Sequence, residues 1–274
     1  MHWLLAAALL VGCPASAAPP APPVRSAQDI AQLLAPSTAA DAREALFGRL
    51  NDSAERGDGT AAYVLGSLYR RGAGFPGLLL KPNPGRALMW LHAAARLGEL
   101  NAFAKLAETY AATGEPLEAM AWAQAYLYFI ERDPSCTKPC TDVYATVLLA
   151  RLFEALPADA EARIRDRTRQ LLVRIGPEFE LARAQKAKAA GAAKSDFAGA
   201  RHRVAAPTAE NAPQAGLVEF VVQIGTDGRV RDAWLLDAVP QADVGLALEK
   251  SVRALKFEPA RTERYAIVPL VFGG

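Results

Sequence analysis

Between Gly216 and Phe272 the hydrophobic period changes twice, and few folds accept that order. Val218, Phe220, Val222 and Ile224 alternate with Glu219 and Gln223, the two-residue period of a strand with one buried face. Asp227-Gly228 follows and predicts a type I′ hairpin turn, whose two central residues need φ > 0. A second strand starts at Arg229 and carries Val230, Ala233, Trp234 and Leu235. Past Pro240, the residues Val244, Ala247, Leu248, Ser251, Val252 and Leu255 recur at helical spacing and predict one amphipathic helix. Phe257-Glu258-Pro259-Ala260 and a charged turn then lead into a closing strand from Ala266 to Phe272.

Read as GLVEFVVQIGTDGRV, a helix ending VRALKFEPA and a closing VPLVF, this order resembles the C-terminal domain of the TonB family. The family's opening Tyr-Pro element is replaced here by Ala205-Ala206-Pro207. The resemblance implies a small β-β-α-β domain over residues 214–274. It also implies that an edge near the closing strand pairs with an extended peptide through main-chain hydrogen bonds. Ala266, Ile267, Val268, Leu270 and Val271 are the partner-binding residues on that basis. A covered or self-paired edge is the alternative for the same residues.

Residues 26–190 read as helix after helix. Ser26 is placed to cap a helix through Leu34, Pro36 to stop it, and Ser37 or Thr38 to cap the next. Ala62, Leu65, Gly66 and Tyr69 form a helical stripe that Phe103, Leu106, Ala107 and Tyr110 repeat 41 residues later (110 − 69). Ala87, Trp90, Leu91 and Ala94 form a second stripe, repeated by Ala119, Trp122, Ala123 and Tyr126 after 32 residues (122 − 90). Helix pairs recurring in this way predict an α-solenoid, in which each hairpin buries its face against its neighbours. The units AYVLGSLYRRGAG and RALMWLHAAARLGELNA resemble Sel-one-like repeats, a branch of the tetratricopeptide superfamily. Gly66 and Ala93-Ala94-Ala95 then sit where helices approach closely, and Gly72 and Gly74 supply a left-handed exit from the first helix. The loop from Phe75 to Pro84, with Leu78, Leu79 and Leu80, is either packed on the helix pair or a contact site. Two further helices, near residues 143–156 and 158–175, cap the stack. The expected architecture is therefore multidomain: an N-terminal α-solenoid of helical hairpins, a linker over 191–213, and an α+β domain.

Trp3 to Cys13 is an apolar run of 11 residues, short of the roughly 18 a membrane span needs, and it leads to Ala15-Ser16-Ala17. Residues 1–17 are expected to be a secretory signal peptide. Leu10-Val11-Gly12-Cys13 resembles a bacterial lipobox, which would leave Cys13 lipidated, whereas cleavage after Ala17 removes it. Residues 18–25 form a Pro/Ala-rich spacer. TonB energy transducers carry a longer Pro-rich arm and a membrane helix, so the energy-transducer function is kept here only as an alternative.

In an oxidising periplasm Cys136 and Cys140 are expected to close a short disulfide loop. A thiol-disulfide activity is the alternative, although the spacing is C-x-x-x-C and not C-x-x-C. His2, His92 and His202 are scattered, so no metal site is expected, and His92 is expected to be a helix-surface or packing residue. The net charge of +2 favours no particular partner. Residues 161–203 carry eleven Lys/Arg against five acids, and Arg163, Arg167 and Arg174 are expected on a solvated helix face. No nucleophile elbow, phosphate-cradling glycine loop or cofactor motif is present. The sequence therefore points to a non-enzymatic, cofactor-free periplasmic adaptor that binds an envelope protein or peptide segment and no nucleic acid.

Overall fold

The computed structural model describes residues 27–133, 142–193, 202–207, 213–241 and 243–273. Helices fill its N-terminal part and strands its C-terminal part. Helix α1 (Ala27–Leu34) ends before Pro36, as expected. Helix α2 (Ala40–Glu55) is not capped by Ser37 or Thr38: its N-cap is Ala39. The Thr38 hydroxyl instead donates 2.6 Å to the Gln32 carbonyl and closes the turn before it. Helix α3 (Gly59–Arg71) is capped by Asp58, whose carboxylate accepts from the Thr60 and Ala61 amides.

The exit from α3 turns at Gly72, where φ is +82°. Gly74 has no such role, because the loop that follows forms a small antiparallel hairpin, β1 (Ala73–Phe75) and β2 (Leu78–Leu80). The fully buried Arg43 clamps this hairpin. Its guanidinium donates to the carbonyls of Leu33, Ala35 and Pro76, and it lies over the Phe75 ring. Leu78 is packed inward and Leu79 points out.

Helices α4 (Pro84–Arg96), α5 (Leu100–Ala112) and α6 (Pro116–Glu131) follow, with α3 packed on α4, α4 on α5, and α5 on α6. A Cβ on Gly66 would meet Leu91 Cγ at 2.7 Å, so the α3–α4 approach does require glycine. Helix α7 (Val143–Glu154) is capped by Asp142, and α8 (Glu161–Ala193) runs 33 residues, straight through Pro177 and well past Ile175.

Within the stretch expected to be linker, residues 202–204 form β3 (His202–Val204). Strands β4 (Ala215–Ile224), β5 (Val230–Val239) and β6 (Arg264–Gly273) complete a sheet of order β3-β6-β4-β5, antiparallel except for β3 with β6. The hairpin turn is not type I′. The Gly228 amide donates to the Gly225 carbonyl and only Gly228 carries a left-handed φ (+78°) there, the arrangement of a three-residue loop closed by a glycine. A Cβ at Gly228 would lie 2.0 Å from the Phe257 carbonyl oxygen, so backbone packing fixes this turn as much as local preference does. The helix expected beyond Pro240 is two short ones, α9 (Asp243–Ala247) and α10 (Glu249–Arg253), broken at Leu248. Its buried stripe of Val244, Leu248 and Val252 survives the break.

Strand β4 is buried on both faces, not one. Val218, Phe220, Val222 and Ile224 pack with Val244, Leu248 and Val252 on the side of α9 and α10. Leu217 and Val221 join the core of the helical layer on the other side. Helices α1 and α7 lie against β4 and β6, and α3 against β5.

Candidate functional site

The face that β4 and β5 turn towards the helices contains two carboxylates in direct register. Glu219 of β4 stands opposite Asp237 of β5, and they are 2% and 0% exposed. Like charges directly opposite in a sheet repel, and both have been taken out of water. The helices supply the compensation. Tyr63, Ser67 and Arg70 lie at i, i+4 and i+7 on α3, and Asn101, Lys105 and Glu108 lie at the same spacing on α5, so each set shares one helix face.

Lys105, 1% exposed, sits between the carboxylates. Its Nζ is 2.6 Å from Glu219 Oε2, 3.1 Å from Asp237 Oδ2 and 2.6 Å from Ser67 Oγ, and it lies over the Tyr63 ring. Arg70 grips Asp237 bidentately, with Nε 2.9 Å from Oδ2 and Nη2 2.5 Å from Oδ1, and Nη2 also donates to the Ala238 carbonyl. The Tyr63 hydroxyl donates 2.5 Å to Glu219 Oε2, and the Asn101 amide 2.9 Å to Oε1. Both carboxylates are thereby satisfied on both oxygens, with the Ala238 amide also donating to Asp237 Oδ1.

The titration directions follow from this geometry. Burial alone would raise Asp237, but Arg70 and Lys105 outweigh it and hold the carboxyl below its ordinary value. Burial, reinforced by Glu219, pushes the Tyr63 phenol well up. Burial opposes the charge on Arg70, yet Asp237 raises its pKa overall. A third buried acid, Glu108, accepts from Tyr144 at 2.9 Å and Arg151 at 2.6 Å at the adjoining α5–α7 contact. With both oxygens of each paired carboxylate hydrogen-bonded and Lys105 closed off from solvent, the cluster is built to hold two layers together.

The surface offers a different kind of site. A groove of about 1150 Å³ opens between α6, α7 and the first half of α8. Met120, Tyr128, Phe153, Leu156, Ile164 and Leu172 make its apolar wall, with Arg165 and Arg169 at the rim. Phe153 and Val173, which also line it, are each 72% exposed.

Of the residues singled out in the sequence, Cys13, Cys136 and Cys140 lie outside the described residues, as do the signal segment and the Pro-rich spacer. Ala266, Val268, Leu270 and Val271 are buried and Ile267 partly so, all on β6. Strand β6 is flanked by β4 along its length and by β3 at Leu270, Val271 and Phe272. Among the described residues, no strand pairs with the remaining outer edge of β6, Arg264–Pro269. The outer edge of β5 is partly occupied by side chains, since Arg70 holds the Ala238 carbonyl and Arg253 the Arg231 carbonyl.

His92 packs edge-on to Trp122 at 4.8 Å and shares a 2.8 Å hydrogen bond with Tyr110. Burial, aided by Arg174 and Arg96, lowers its pKa to about 4. The basic helix α8 is less solvated than expected. Arg167 reaches Glu118 of α6 with two hydrogen bonds, Arg183 reaches Asp133, and Lys186 reaches Glu99. Among the described residues no group of three metal-ligating side chains occurs, and no helix is long and apolar enough to cross a membrane.

Sequence reasoning missed the buried cluster. Lys105, in Ala102-Phe103-Ala104-Lys105-Leu106-Ala107, and Asp237, in Leu235-Leu236-Asp237-Ala238-Val239, each interrupt an apolar run, and that was the available signal. No protein-family model, curated protein or solved structure matches the chain.

Proposed function

We propose that the protein is a non-enzymatic adaptor of the bacterial cell envelope, exported by its N-terminal segment. Its helical hairpins are of Sel-one-like, solenoid type, and its C-terminal sheet is of TonB-like type. The order of two strands, a helical segment and a closing strand that returns beside the first strand supports the second resemblance. The successive packing of α3, α4, α5 and α6 supports the first.

The α6–α8 groove is the observation that carries the adaptor function. An aromatic and a β-branched side chain standing 72% exposed beside an apolar cleft is surface that a partner would cover. The helix faces of α3 and α5 are unsuited to a partner because the chain's own sheet covers them. An extended segment of an envelope protein is proposed to pair along the outer edge of β6 between Arg264 and Pro269.

Site-specific photo-crosslinking in cells tests both surfaces. A crosslinker placed at Phe153 or at Ile267 is expected to give a discrete adduct with an envelope protein, and one placed at the solvent-exposed Glu55 is expected to give none. Adducts at neither Phe153 nor Ile267 would remove the adaptor function.

A further inference from the structure

We infer that the sheet is held by charge matching, so that pairing of β4 with β5 and docking of the sheet onto α3 and α5 form as one event. The observation behind this is the register. Glu219 and Asp237 are direct cross-strand neighbours on one face, an arrangement that opposes the very strand pairing that creates it. Among the described residues, no compensating cation comes from the sheet side of this contact. Both cations that bond the pair, Lys105 and Arg70, belong to the helical layer. A sheet lifted off the helices would carry two adjoining carboxylates without the cations that pair them, and the helices would carry Lys105 and Arg70 without Glu219 and Asp237.

The groups that face the pair come from several elements. Helix α3 contributes Tyr63, Arg70 and Arg71, and helix α5 adds Asn101 and Lys105. Behind them, Glu99 acts on Tyr63, and Glu108 of α5 and Tyr144 of α7 act on Arg70. Among the described residues, Lys105 alone bonds both carboxylates. The C-terminal sheet is therefore a conditional unit. It works while docked, and whatever acts on its edge acts on a sheet that the helices keep assembled.

Amide hydrogen exchange on the full chain tests this, comparing wild type, Lys105→Met and Lys105→Met/Glu219→Gln. Lys105→Met is expected to lower protection of β4 and β5 amides roughly a hundredfold or more, while α4 and α6 amides change far less. The double variant leaves Arg70 facing Asp237 as a neutral pair and is expected to recover most of that protection. If Lys105→Met proves too unstable to purify, the double variant still decides: a folded, protected sheet supports the inference. Equal loss over both layers in Lys105→Met, an unchanged sheet, or a double variant no better than the single one would overturn it.

Discussion

The two faces of β4 solve the same burial problem in opposite ways. Towards α9 and α10, Val218, Phe220, Val222 and Ile224 form an apolar contact that needs only complementary shape. Towards α3 and α5, Leu217 and Val221 flank a carboxylate that needs particular partners at particular distances. An apolar face tolerates small shifts of one layer over the other. A charged face does not, because moving Lys105 away from Glu219 and Asp237 leaves buried ions unpaired. The difference teaches that the near helices α9 and α10 cover the sheet, while the distant helices α3 and α5 specify where it sits.

The sharpest way to break this comparison is to remove the cation. Lys105→Met should cost about 3–5 kcal/mol in urea unfolding, since it leaves the Glu219 carboxylate buried without a cation. Removing two methyl groups from the other face should cost less. Val222→Ala is expected to lose about 2 kcal/mol, and the companion change Glu219→Gln should not alter that figure, because the two side chains lie on opposite faces. A Val222→Ala cost equal to that of Lys105→Met would erase the distinction between the faces.

Acid provides a third test away from the sheet. His92 has a folded pKa of about 4, below its ordinary 6.5. The unfolded chain therefore takes up its proton first, and stability present above pH 6.5 falls as pH drops towards 4. His92→Gln should flatten that part of the stability profile by roughly 2 kcal/mol, allowing for partial exposure of the ring. The depressed Asp237 acts at lower pH. Its contribution is present above the ordinary carboxylate pKa of 3.8 and disappears as pH falls through the lower folded value, so Asp237→Asn should lower stability throughout the neutral range and remove pH dependence only at the acid end. The smallest effect is expected at the groove. Phe153→Ser should change stability by less than about 0.5 kcal/mol, while reducing any crosslinked adduct that depends on this surface.

Much of the secondary structure was legible because side-chain period follows from backbone geometry. The stripes containing Gly66 and Leu91 identified contacting helices, and the burial of Val244, Leu248 and Val252 follows the spacing expected of them. Local signals failed where neighbours from elsewhere decided the outcome. Asp227-Gly228 favours a two-residue turn in isolation, but the backbone at Phe257 packs against Gly228. The helix expected near 158–175 instead runs on through Pro177, with Phe179 packed on Phe129 and Phe103 beyond that point. Thr38 reads as a cap until its hydroxyl finds the Gln32 carbonyl.

Period, turn residues and apolar content determined which residues share a helix stripe or a strand face, since these depend on neighbours within a few positions. They placed Glu219 on a strand, and the alternation around it made it a solvent-facing residue, while the second strand was read only as far as Leu235. Only the tertiary structure decided that α3 and α5 cover that face and that Lys105, 114 positions before Glu219 (219 − 105), stands between the two carboxylates. The reason is physical: alternation records which side of a strand a residue occupies, whereas whether that side meets water or a lysine depends on how distant layers pack.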